Sequence, residues 1–236
     1  SVDCHWIITS KIGHPSIDET VEYNPGPFID LRLGHVNQAR GARTIRKVFA
    51  PLVDKFTSWD LANLEIAHRI VYEIPANWKL VFQNYSECYH CPALHPVLNR
   101  LTPFRNASND LEEGPFLGGP MKMEIEGGSM TMTGQRCAAP LGNLEGDDLN
   151  FVQYYTIFPN LLLSLHPDYV LIHRIDRLAT NQKRIICDWL FNPDTIAAPD
   201  FDPSSAIEFW NMTNEQDWSV SRLSQRGIAS RAYRPG

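Results

Sequence analysis

Three apolar runs in the second half of the chain, followed by one long amphipathic stretch, most narrow what it can fold into. "FVQYYTIFPNLLLSL" (151–165) and "YVLIHRIDRL" (169–178) are joined by His166-Pro167-Asp168, and "RIICDWLF" (184–191) follows a polar break. Runs of this length, rich in β-branched and aromatic residues and bounded by turn residues, read as strands. Their close succession predicts a meander of three antiparallel strands. "DFDPSSAIEFWNMTNEQDWSVSRLSQRG" (200–227) then reads as one helix, with Asp202 as candidate N-cap, Pro203 at the first helical position and Gly227 as the stop. An apolar sheet face has to be covered, so the expected class is α+β: a curved antiparallel sheet packed on a long C-terminal helix.

Upstream the pattern is weaker. Residues 1–48 show no sustained period and are read as an N-terminal appendage, leaving residues 49–236 as one compact domain. "FAPLVDKF" suggests a short helix, and alternation through His68, Ile70, Tyr72 and Ile74 suggests a strand. From Trp78 to His90 the residues favour a helix, with Trp78, Val81, Phe82, Tyr85 and Tyr89 on one stripe and Pro92 as its end. The Gly-, Met- and acid-rich stretch 110–150 is expected to be loop with short strands, covering a pocket.

Charge and cysteine usage remove several classes of function. A net charge of −6 argues against a phosphate-binding surface, so no nucleic-acid partner is expected. No apolar run reaches the roughly 18 residues of a membrane span, and no apolar leader opens the chain. Five cysteines with irregular spacing suit free thiols in a reducing compartment, hence a cytoplasmic setting.

The chemistry-bearing residues concentrate in "NYSECYHCPALHP" (84–96). On an unbroken helix His90 and His95 would point about 140° apart. Pro92 lies between them, and a proline that breaks the helix lets the second histidine fold back toward the first. Asp217 supplies a third group: it shares a helix face with Trp210, about 20° away, whereas Glu215 faces the opposite side. An inward carboxylate has to be paired or metal-bound. A salt bridge to an arginine is one outcome. Two histidines and one carboxylate on one side of a metal, the facial triad of non-haem Fe(II) oxygenases with positions left open for O2, is the other. Cys88 and Cys91 could instead form a redox dithiol or join both histidines on zinc, but are read as small buried hydrophobes.

"NWKLVFQNYSECYHCPALHP" together with "NEQDWSVSRLSQRG" resembles the catalytic domain of Rieske-type non-haem iron oxygenases, the α subunits of ring-hydroxylating dioxygenases and related demethylases. The resemblance runs from about residue 50 onward and implies a helix-grip (START-like) fold with Fe(II) on His90, His95 and Asp217. It further implies that Glu87 links the iron site to the Rieske cluster of a neighbouring subunit and that Asn84 stands beside the iron. The expected activity is hydroxylation or oxidative demethylation of a small organic substrate with O2. The partners it implies are a reductase or ferredoxin and further copies of the chain, in a trimer. Family members hold a [2Fe–2S] cluster on C-x-H and C-x2-H pairs. This sequence has no such pairs, so the cluster is expected from elsewhere and the isolated chain is expected to be inactive. "NYSECYHCP" looks most like family members that demethylate quaternary amines. The rival reading is a metal-free carrier module of the same fold. Among the remaining candidates, His173, Tyr154, Tyr155 and Phe158 are expected in the core, and His166 solvated in its turn.

Overall fold

The structure, a computed structural model, describes residues 50–234 apart from 53 and 113. The appendage expected over 1–48 lies outside the described residues. Six strands form one antiparallel sheet: β1 (Glu65–Ile74), β2 (Phe116–Lys122), β3 (Phe151–Ile157), β4 (Leu161–Leu165), β5 (Val170–Ala179) and β6 (Gln182–Phe191), in the order β1-β6-β5-β4-β3-β2. The first apolar run is thus two strands, folded back at Phe158-Pro159-Asn160, and the expected three-stranded meander has four. Proline cannot donate to a ladder, and that is why the run turns there.

The helices are α1 (Trp78–Ser86), the short α2 (Cys91–Leu94), α3 (Pro96–Leu101) and α4 (Pro193–Ile196), and the 25-residue α5 (Ser204–Ile228). Alternation along the strands divides the core into two layers. Leu162, Leu171, Ile175, Cys187 and Trp189 face α5 and pack with Phe209, Trp210 and Trp218. Leu163, Leu165, Val170, Ile172 and Leu190 face the other way and are covered by Leu52, Phe56, Trp59, Leu141 and Leu144. Both faces are covered, which explains why every residue of β4 is buried. A sheet holding one long helix is the helix-grip arrangement expected from the sequence. Ala50–Leu52, Thr57–Trp59 and Leu61–Asn63 form 3-10 turns where a short helix was expected over 49–56.

Edge strand β2 is pressed between β3 and residues 107–111. A Cβ at Gly118, where φ is +144°, would stand 2.0 Å from the Tyr154 carbonyl oxygen, and one at Gly119 would stand 2.2 Å from that of Ser108. Only glycine fits this passage. At the start of α5 the N-cap position is Pro203, one residue later than expected, and Asp202 stands just outside the helix with Oδ1 accepting from Ser204 N at 2.9 Å. Gly227 lies inside α5, one residue short of its end. Among the described residues no helix is long and apolar enough to cross a membrane.

Candidate metal centre

Helix α1 begins at Asn77, whose side chain accepts from Lys79 N, and it is tied to the sheet at its far end. There Tyr85 OH donates to Leu163 O at 2.9 Å and Ser86 Oγ meets Thr156 Oγ1 at 2.8 Å. The helix stops at Ser86, four residues before the expected end at His90, because Glu87 adopts an extended conformation. Glu87 Oε2 accepts from Tyr89 N at 2.7 Å, and Tyr89 leaves the expected stripe to stand 85% exposed. Pro92 opens α2 instead of breaking α1. His90 caps α2, and His95 sits at the joint between α2 and α3, so the chain folds back on itself between them.

This fold-back and α5 bring His90, His95 and Asp217 together, with ligand-capable atoms all within 4.8 Å of one another. Asp217 Oδ1 lies 2.8 Å from His95 Nε2 and 3.4 Å from His90 Nε2. The imidazole planes stand at 78°, with centroids 5.1 Å apart. Each outer nitrogen is engaged elsewhere: His90 Nδ1 with Glu87 Oε1 at 2.8 Å and His95 Nδ1 with Gln216 Oε1 at 2.7 Å. Each Nδ1 has an acceptor in Glu87 or Gln216, so a divalent non-haem metal can take the place of the Nε2 protons that the rings otherwise share with Asp217. Gln216 is the residue sequence reasoning missed.

Burial would raise the Asp217 carboxyl, but hydrogen bonds from His90, His95 and Asn84 hold it below the ordinary value. The same Asp217 contact raises His90 against burial, and Glu87 adds to it. Among the described residues no arginine or lysine pairs with Asp217, so the salt-bridge alternative has no partner there. Glu215 is exposed, on the opposite side of the helix. Cys88 and Cys91 are joined in a disulfide, which corrects the expectation of free thiols and removes the cysteine–histidine zinc arrangement.

Beyond the three residues, the layer between sheet and α5 is aromatic. Tyr85 meets Tyr154 and His173 edge-on, and Phe158 stacks on Phe82. His173 Nε2 contacts Asn214 Oδ1 at 3.0 Å, one turn before Asp217, and burial pushes the ring down to about 4. Tyr155 points to the other layer, where its hydroxyl donates to Asp110 and Gln153. His166 was expected in solvent and is instead fully buried, stacked on Tyr169 with centroids 4.0 Å apart. Residues 129–137 cover its turn, held there by Asp168.

The fold and the donor set define a helix-grip domain with a candidate site for a single metal ion. More particularly, the chain belongs to the family described as ring hydroxylating alpha subunit (catalytic domain), matched over residues 61–236. It is 25% identical over 237 aligned positions to the glycine betaine monooxygenase oxygenase subunit of Pseudomonas aeruginosa (strain UCBPP-PA14), covering 85% of this chain and 53% of that protein. A shorter stretch of 36 residues, 15% of this chain and 10% of the relative, is 53% identical to the carnitine monooxygenase oxygenase subunit of Acinetobacter baumannii. In fold it is similar to a solved quaternary ammonium Rieske monooxygenase, with a TM-score of 0.65 at 18% identity, covering 84% of this chain and 50% of that one. The chain spans about half the length of the relatives it matches across most of its own length.

Proposed function

We propose that residues 49–236 act as the catalytic domain of an oxygenase that hydroxylates or oxidatively demethylates a small organic substrate, with Fe(II) held by His90, His95 and Asp217. The observation that carries this reading is the convergence of two Nε2 atoms and one carboxylate oxygen within 4.8 Å, with both Nδ1 atoms already engaged. Bound there, the metal supplies O2 activation, fed by electrons from a Rieske cluster on another domain or subunit. The chain's own residues hold and orient. Glu87 and Gln216 fix the two imidazole tautomers. Asn84 donates to Asp217 and keeps it ionised. Tyr85, Tyr154 and Phe158 belong to the apolar layer packed between sheet and α5.

The substrate class we favour is a quaternary amine, a reading supported by the glycine betaine and carnitine relatives. The tyrosine and tryptophan side chains between sheet and α5 suit a cation that carries no hydrogen-bond donor. The partners in this reading are a reductase or ferredoxin and further copies of the chain in a trimer, with Glu87 as the inter-subunit electron bridge. A metal-free carrier of the same fold would gain nothing from three converging polar donors, whose burial is costly when unoccupied.

Anaerobic titration of the purified chain with Fe(II), followed by metal analysis, tests the assignment. One iron per chain is expected, and Asp217→Ala should abolish binding at the concentration that saturates the wild type. A metal-free wild type that still binds a quaternary amine would favour the carrier.

A further inference from the structure

Cys88 and Cys91 form the one disulfide among the described residues, whereas Cys137 and Cys187 keep free thiols. Cys88 follows the Glu87 cap of α1, Cys91 opens α2, and the four-residue ring they close holds Tyr89 and His90 inside it. Within the ring Cys91 N donates to Cys88 O at 3.1 Å, while Glu87 reaches in from outside to accept from Tyr89 N and to meet His90 Nδ1. Cys91 Sγ lies 4.0 Å from His90 Nε2, the nitrogen that faces Asp217. One sulfur of the cystine therefore packs against the ring of a candidate metal ligand.

His90 depends on this turn more than the other two donors depend on theirs. The side chain of His95 is 2% exposed and is engaged through both ring nitrogens, by Gln216 and Asp217, and Asp217 stands on the 25-residue α5. That of His90 is 18% exposed, and its Nδ1 partner Glu87 is itself 39% exposed. The chain is anchored on either side, by Tyr85 and Ser86 to the sheet and by Leu98 and Leu101 in the core. Between Glu87 and Cys91 the cystine is the covalent restraint. The effect of a cross-link on stability grows with the loop it closes, so a four-residue ring adds least to the whole fold and acts chiefly on the turn. Tyr89 is exposed within that turn and Cys88 is only partly buried, which opens the bond to exchange from solvent, while Cys91 is buried.

We propose, resting on the metal assignment of His90, His95 and Asp217, that Cys88–Cys91 is a reversible thiol–disulfide switch that sets how tightly the site holds its metal. Closed, the ring keeps His90 turned toward Asp217 and His95. Open, it lets the turn relax and the imidazole leave that orientation. Opening is exchange with a dithiol. A thiolate of the reductant attacks Cys88 Sγ, the Sγ–Sγ bond breaks, and Cys91 leaves as a thiolate that takes a proton. The reductant's second thiol then attacks its own sulfur in the mixed disulfide and releases Cys88. Two electrons and two protons pass to the chain, and the reductant ends as a disulfide. Closure is the same exchange run with oxidised glutathione, which leaves as two thiols.

The test compares the 236-residue chain equilibrated anaerobically with oxidised glutathione and with dithiothreitol, each then removed by gel filtration. Alkylation in denaturant followed by mass spectrometry reads the state of Cys88 and Cys91, and competition with a chromogenic chelator reads Fe(II) binding. The oxidised chain is expected to bind Fe(II) roughly ten- to a hundredfold more tightly than the reduced one, the size of effect that follows loss of a group orienting a metal-bound histidine. Re-oxidation should restore the tighter value. Cys88→Ser should show the weaker affinity in both buffers, and Cys88→Ala, which adds no polar group, should do the same, with circular dichroism confirming that each variant is folded. A thermal midpoint that falls on reduction while Fe(II) affinity stays the same is the mark of a staple alone and overturns the switch. So does a Cys88 and Cys91 pair that alkylates after glutathione treatment, or a Cys88→Ala variant that binds as tightly as the oxidised wild type. Fe(II) bound by neither form means that the metal assignment fails and the switch falls with it, whereas equally tight binding by both forms sinks the switch and leaves the assignment standing.

Discussion

Gln216 accepts from Nδ1 of His95 at 2.7 Å, while its helix neighbour Asp217 meets Nε2 of the same ring at 2.8 Å. One turn of α5 thus grips both nitrogens of one histidine and leaves its ring a single orientation. Replacing Gln216 with leucine frees the ring and leaves its Nδ1 proton unpaired. The expected result is a ten- to hundredfold loss of Fe(II) affinity with the thermal midpoint little changed. Metal titration against a competing chelator measures it.

Glu87 makes the corresponding contact to His90, yet its side chain is 39% exposed and can also meet a partner. Glu87→Gln preserves an acceptor for the Nδ1 proton and removes the negative charge. In a form supplied with a working Rieske domain, this variant should keep its iron and lose steady-state turnover, with some product restored by chemical reduction of the iron. Normal turnover with iron intact would mean that electrons reach the site by another route.

His166 and His173 set the acid limb of stability. Burial lowers both, to about 3 and about 4, whereas the unfolded chain takes up a proton at each near pH 6.5. Their contribution is therefore full above pH 6.5 and is lost as pH falls toward those values, by at most about 1.4 kcal/mol per pH unit for each ring. Urea unfolding between pH 7.5 and 5 should show His166→Gln flattening the slope by up to one proton. Comparing variant with wild type isolates the ring from buried Asp168 and Asp188, whose raised carboxyls act in the opposite sense.

Arg69 on β1 faces Asp188 on β6 across the ladder, with Nε and Nη2 donating to the two carboxylate oxygens. Asp188 is 1% exposed, so Arg69→Ala strands a buried charge and should cost about 3 kcal/mol in urea unfolding. The double variant Arg69→Met with Asp188→Leu should recover most of that loss, because paired apolar groups need no compensation.

The sequence made most of the sheet legible through apolar runs bounded by turn residues and α5 through an unbroken period of 3.6, and helical phase alone separated Asp217 from Glu215. The end of α1 was not legible. Every residue through Tyr89 tolerates a helix, and the break comes from the Glu87 carboxylate, which satisfies Tyr89 N and the His90 ring once they surround it. His166 misled for a related reason: turn residues usually face water, and only the loop pinned through Asp168 covers this one. Gln216 carried no signal, since its partner lies on a distant segment. Cys88 and Cys91 carried an ambiguous one, because their spacing fits a dithiol, a zinc half-site and a disulfide alike.

His95 and Asp217 are separated by 122 positions, and β2 to β6 lie between them. A chain emerging from the ribosome presents both histidines long before the carboxylate, and contacts so distant in sequence form only after loop closure has been offset by the rest of the core. The three-donor pocket is thus withheld from any partly folded intermediate. In the proposed reading, metal loading then comes after folding, and a loaded site certifies a finished domain.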